Sequence, residues 1–105
     1  MIGILDYGMG NLRSVQKALE YLGGRAVISS ELSVLDGCDR LILPGVGSFA
    51  AGMDNLGKTG LADYVRTRAA DTPVLGICLG MQFLLTVSEE EGEHGGLGLI
   101  DGRAV

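Results

Sequence analysis

Four short apolar runs, separated by amphipathic stretches, are the feature that most limits what this chain can become. Residues 1–5, 25–29, 40–43 and 74–77 are too brief for helices and rich in branched side chains, which predicts buried strands. After the first run, Leu12, Val15, Leu19 and Leu22 recur at helical spacing, with Arg13, Gln16, Lys17 and Glu20 on the other faces. Asn11 stands where a helix N-cap belongs, and Gly23-Gly24 where that helix should stop. Residues 31–35 read as one irregular turn. Ser48 is placed to cap a helix carrying Phe49, Met53 and Leu56, and residues 61–69 form a second helical piece with Leu61, Tyr64, Val65 and Arg68 in register. Strand alternating with helix predicts an α/β fold, a parallel sheet with right-handed crossovers and helices on both faces. Ligands of such sheets gather at the carboxyl ends of the strands, which here carry residues 6–11, residues 44–47 and Cys78.

Size and composition narrow the class. At 105 residues the chain can build one core but not two. An apolar share of 47% with a mean hydropathy of +0.33 excludes a disordered polymer. No run approaches the roughly 18 apolar residues of a membrane-spanning helix. The amino terminus has neither a basic region nor a signal-cleavage pattern, so a cytoplasmic protein is expected. A net charge of −5 argues against nucleic-acid and anionic-membrane partners. Cys38 and Cys78 lack metal-ligand spacing and a secretory context and read as reduced thiols; neither metal nor cofactor is expected.

The chemistry-bearing stretch is Gly76-Ile77-Cys78-Leu79-Gly80-Met81-Gln82, where the apolar run ends and a helix over residues 79–85 is predicted to begin. Glycines two residues to either side of a cysteine, at a strand-to-helix junction, fit a nucleophile elbow. The helix start would point amide N–H groups at the sulfur and favour thiolate. Against this, a lone cysteine in an apolar run is ordinarily a small buried hydrophobe. Pro44-Gly45-Val46-Gly47 is either a plain turn or an oxyanion loop, whose N–H would converge with one after Cys78 on a developing negative oxygen. Residues 52–59 match the phosphate-loop pattern G-x-x-x-x-G-K-T letter for letter. The match is rejected, because no buried strand immediately precedes Gly52 and Asp54 would face the phosphates. His94, the chain's one histidine, lies in an acidic, glycine-rich stretch over residues 88–96 that reads as a solvated loop, so it is taken as a surface residue rather than a base. Residues 97–100 and 103–105 look like the opening of another strand pair.

Taken together, the blocks Asp6-Tyr7-Gly8-Met9-Gly10-Asn11-Leu12-Arg13-Ser14-Val15, Leu43-Pro44-Gly45-Val46-Gly47-Ser48-Phe49, Gly76-Ile77-Cys78-Leu79-Gly80-Met81-Gln82 and Gly96-Leu97-Gly98-Leu99-Ile100 resemble, in order, those of the glutaminase subunits of imidazole glycerol phosphate synthase. These are class I, triad-type glutamine amidotransferases. The C-L-G-M-Q block alone points to class I; D-Y-G-M-G-N with P-G-V-G narrows it to that subunit. The resemblance implies a flavodoxin-like three-layer α/β sheet, with Cys78 as nucleophile and the backbone N–H groups of Leu79 and Val46 forming the oxyanion hole. It also implies that Gly47, Leu79 and Gln82 hold the substrate glutamine, and that Asn11 lies toward the synthase (cyclase) subunit. That partner takes the ammonia to make imidazole glycerol phosphate and an aminoimidazole carboxamide ribotide in histidine synthesis. The family's catalytic His and Glu belong to a later H-x-E stretch, which His94 does not match. By resemblance, residues 1–105 are the amino-terminal portion of a single amidotransferase domain. Alone they are expected to turn over glutamine poorly, to leave a sheet edge and apolar surface open, and to self-associate.

Other classes remain as alternatives: a non-catalytic module that binds the synthase partner, a redox-sensing or chaperone-like cysteine-elbow protein, and a nucleotide binder. The redox reading needs an acidic group beside the thiol, and none is evident near Cys78. The nucleotide reading needs ATP affinity that depends on Lys58.

Overall fold

In the computed structural model, which describes residues 1–89 and 92–105, the four apolar runs become parallel strands of one sheet. β1 (Ile2–Leu5), β2 (Ala26–Ser29), β3 (Arg40–Leu43) and β4 (Val74–Gly76) lie in the order β2-β1-β3-β4. Ile28, Ile4, Ile42 and Leu75 form one row across it. Covering both faces of a parallel sheet with helices is what makes such strands apolar throughout rather than alternating.

The two faces are covered unequally. Leu5, Leu41 and Leu43 pack into the main core with Leu35, Phe49, Leu56, Leu61, Val65 and Phe83. These come from α2 (Leu32–Leu35), α3 (Phe49–Lys58), α4 (Leu61–Arg68) and α5 (Leu79–Phe83). Against the other face, among the described residues, lies α1 (Leu12–Tyr21), which has no fully buried residue. Leu12, Val15 and Leu19 are half-buried as the spacing predicts, but Leu22 falls past the helix end and is exposed. An apolar groove of ≈ 220 Å³ remains beside α1, lined by Leu19, Ile2, Ile42 and Leu75 among others. Leu75, on the edge strand β4, is 58% exposed, so apolar surface does lie at an open edge.

Caps follow the sequence in part. Ser48 Oγ accepts from the Ala51 N–H at 3.3 Å and starts α3. Asn11 occupies the N-cap position of α1, but its side chain makes no capping bond there. Gly23, at φ +90, ends α1 in the left-handed conformation that glycine tolerates best. The turn expected over residues 31–35 is the short helix α2. Of residues 52–59, which spell a phosphate loop, Gly52 to Lys58 run to the end of α3 and Thr59 is its C-cap; Gly52 lies so close to the Phe83 ring that an added Cβ would sit 2.3 Å from Cζ.

The region after the cysteine departs from expectation. α5 ends at Phe83, and Leu85 instead opens β5 (Leu85–Ser88). The open carbonyls at the helix end are taken by the chain returning from downstream: Leu97 N–H donates to Phe83 O at 2.7 Å and Ile100 N–H to Leu84 O at 2.8 Å. Terminal carbonyls lack intrahelical partners, so this return halts the helix. β5 then joins β6 (His94–Gly95) and β7 (Ile100–Ala104) in a second sheet of order β6-β5-β7. The expected strand pair over residues 97–105 is therefore one strand, parallel to β5, with a register shift between Leu85 and Val87. The stretch expected as a solvated loop is only partly one: Ser88 is fully buried and His94 half-buried, while Glu90 and Glu91 lie outside the described residues.

Candidate active site

Cys78 is, among the described residues, the single non-glycine with positive φ, at φ 54 and ψ −120. Such a backbone costs of order 1–3 kcal/mol and persists only where the surroundings impose it. Here they do so by close approach of backbone to backbone. Ile77 N–H donates to Leu43 O at 3.0 Å, Gly80 N–H to Ile77 O at 2.9 Å and Met81 N–H to Cys78 O at 3.0 Å, closing a sharp turn from β4 into α5. The two flanking glycines are required by space. A Cβ on Gly76 would lie 2.6 Å from Met81 Cα, and one on Gly80 only 1.7 Å from Leu43 O. The cysteine is thereby lifted out of the core and exposed, as a nucleophile elbow demands and a buried hydrophobe does not.

The β3–α3 loop lies directly against this elbow. Leu79 N–H donates to Gly45 O at 3.2 Å, and Tyr7 donates its hydroxyl to Pro44 O at 2.5 Å. Gly47 turns with φ +96, and a Cβ there would touch Met9 Cε at 3.3 Å. Val46 is 54% exposed. The carboxyl-end loops of β1, β3 and β4 are thus in mutual contact, as the alternating pattern predicts. The Leu79 N–H, anticipated as an oxyanion donor, is engaged by the Gly45 carbonyl in this conformation.

Gln82 lies in α5, four residues after Cys78. Its Oε1 is shielded from solvent and has no donor partner among the described residues. A buried, unsatisfied amide oxygen is costly unless a ligand donor completes it. Asn11 is exposed at the start of α1, where the loop after β1 ends. His94 lies in β6, opposite Ser88 of β5. Lys58 is exposed and paired with Asp54 at 2.8 Å, one turn earlier on α3. An open hollow of ≈ 410 Å³ is lined by Asp6, Tyr7, Gly8, Ser30, Asn55, Lys58 and Thr59, and contains no cysteine. No group of three or more metal-ligating side chains gathers among the described residues.

Tyr7 is the site residue that sequence reasoning passed over as part of a turn. It is 2% exposed, edge-on to Phe83 with ring centroids 5.8 Å apart, and burial pushes its hydroxyl well above the usual phenol range. An aromatic with a polar tip directly after a buried strand was the available signal, because a buried tyrosine hydroxyl usually finds an acceptor.

Residues 4–96 match the family described as glutamine amidotransferase class-I. The chain is 57% identical over 106 residues to imidazole glycerol phosphate synthase subunit HisH of Geobacillus thermodenitrificans (strain NG80-2), covering 100% of this chain and 50% of that protein. It is 52% identical to the subunit of the same name from Bacillus subtilis (strain 168), with the same coverage. The chain therefore spans about half the length of the curated relatives it matches. A solved structure described as the crystal structure of glutamine amidotransferase superposes with a TM-score of 0.82 at 27% identity, covering 97% of this chain and 54% of that one.

Proposed function

The chain belongs to the class I glutamine amidotransferase family, and from that membership we propose that it carries the nucleophile half of a glutaminase site serving imidazole glycerol phosphate synthase. The observation that carries the reading is the strained, exposed Cys78 with the Gly45 carbonyl seated on the N–H of the next residue. The Cys78 sulfur attacks the side-chain carboxamide carbon of glutamine, and the carbonyl π pair moves to oxygen. That oxyanion is held by the Leu79 N–H once the Gly45 carbonyl has turned away, together with a Val46 N–H turned inward from the same loop. Gln82 Oε1 and Gly47 hold the amino-acid end. Collapse breaks the C–N bond, the leaving nitrogen takes a proton and departs as ammonia, and a γ-glutamyl thioester remains. Water cleaves it to glutamate and restores the thiol. By resemblance, a downstream His–Glu pair moves these protons, and the synthase subunit, docked beside Asn11, consumes the ammonia in the cytoplasm as part of a heterodimeric lyase. No helix among the described residues is long and apolar enough to cross a membrane.

The engaged Leu79 N–H also favours a second reading, a module that binds the synthase partner without chemistry. One experiment separates them. The purified chain and its Cys78→Ala variant are treated with a glutamine-shaped chloroketone, and ammonia release from glutamine is followed with and without the synthase subunit. The expected result is selective alkylation of Cys78, with turnover by residues 1–105 at least about a thousandfold below that of an enzyme that contains the H-x-E stretch. Complex formation with a Cys78 that discriminates no glutamine-shaped reagent favours the non-catalytic module.

A further inference from the structure

We propose that the Tyr7 hydroxyl is a positioning group for the β3–α3 loop, fixing the Pro44 peptide so that only the peptides beyond it turn toward the Cys78 site. The proposal rests on the glutaminase reading above and adds a residue to it. Three successive carbonyls of this loop have three different partners. Leu43 O accepts from the Ile77 N–H at 3.0 Å, Pro44 O from the Tyr7 hydroxyl at 2.5 Å, and Gly45 O from the Leu79 N–H at 3.2 Å. The first belongs to the rigid sheet edge and the third must be released when an oxyanion takes the Leu79 N–H. The second is therefore the boundary between the part that stays and the part that moves. Its donor is well anchored, since Tyr7 is 2% exposed and wedged edge-on against Phe83. The fit is tight as well, a Cβ on Gly45 falling 2.6 Å from the Tyr7 oxygen. Tyr7 touches no reacting atom; it acts through the loop.

Tyr7→Phe removes the hydroxyl and keeps the ring. Two readouts test it. In the first, alkylation of Cys78 by (S)-2-amino-4-oxo-5-chloropentanoate, which develops an oxyanion, is compared with alkylation by iodoacetamide, which does not. The expected result is a fall of about tenfold or more in the chloroketone rate, with the iodoacetamide rate changed less than about twofold. In the second, hydrogen exchange of the Leu79 amide is expected to speed up by about tenfold while the amides of β3 stay unchanged. The Leu79 measurement involves no glutamine chemistry. Unchanged values in both readouts overturn the role of Tyr7 while leaving the glutaminase reading intact. A wild-type Cys78 that shows no chloroketone preference overturns both. If Cys38 becomes labelled in Tyr7→Phe, the hydroxyl supports the whole core rather than the loop, and the proposal fails.

Discussion

Both cysteines adjoin the same sheet, Cys38 just before β3 and Cys78 just after β4, yet the chain holds them in opposite ways. Cys38 is 4% exposed, its sulfur 3.1 Å from where a Cβ of Gly3 would be and 3.7 Å from Val34 O. The backbone around it is clasped by side chains. Arg68 donates to Cys38 O at 2.7 Å and to Leu35 O at 2.9 Å, Tyr64 donates to Asp36 at 2.7 Å, and the Met1 ammonium pairs with Asp39 at 3.3 Å. Around Cys78 the bonds that close the turn, among the described residues, run from backbone to backbone, and its φ is 54; the Tyr7 side chain reaches the neighbouring loop rather than the turn itself. At the amino edge of the sheet, side chains fasten an unstrained backbone. At the carboxyl edge, glycines admit a strained one whose loop carbonyls keep exchangeable partners. Side-chain bonds are invested at one edge and backbone strain at the other.

The sharpest way to break this contrast is Gly80→Ala. The added methyl would sit 1.7 Å from Leu43 O, a backbone atom that cannot swing aside. A loss of about 3 kcal/mol or more in urea denaturation is expected, together with loss of selective Cys78 alkylation. A folded variant with an unchanged midpoint would show that the elbow is not set by this approach.

Arg68→Met tests the other edge. The side chain is 18% exposed and its charge-assisted bonds satisfy two carbonyls. Leaving those acceptors without donors should cost about 2 kcal/mol. Labelling of Cys38 by iodoacetamide should accelerate while that of Cys78 does not. Equal acceleration at both thiols would mean that the two edges open together.

How far these features could be read from residues alone follows from how local their causes are. Strands of the parallel sheet were legible because burial on both faces writes an unbroken apolar run, as in Leu41-Ile42-Leu43. The elbow was legible because close backbone approach selects glycine, and Gly76 and Gly80 announce it. The early end of α5 was not, because it depends on Leu97 and Ile100 returning from more than ten residues downstream to take the carbonyls of Phe83 and Leu84. Residues 84 and 85 therefore read as the last of the helix, and β5 and β6 went unseen although strands were expected further on, over residues 97–105. The Tyr7–Pro44 bond is hidden for the same reason, spanning 37 positions. Local spacing cannot encode a partner that only the β1–β3 pairing brings near.

The smallest effect is the most direct measure of the strain difference. At position 78, alanine shares the cysteine's penalty at φ 54, whereas glycine does not. Cys78→Gly should therefore be more stable than Cys78→Ala by about 1 kcal/mol, despite the greater freedom glycine gains on unfolding. At position 38 the order should reverse. Cys38 is not among the residues with positive φ, so glycine gains nothing there, loses a buried methyl, and should be less stable than alanine by about 1 kcal/mol. Denaturation midpoints of the four variants give the two differences with the same chemistry on each side. Opposite signs mean that the carboxyl edge stores strain that the amino edge does not; the same sign at both positions would reduce the contrast to exposure alone.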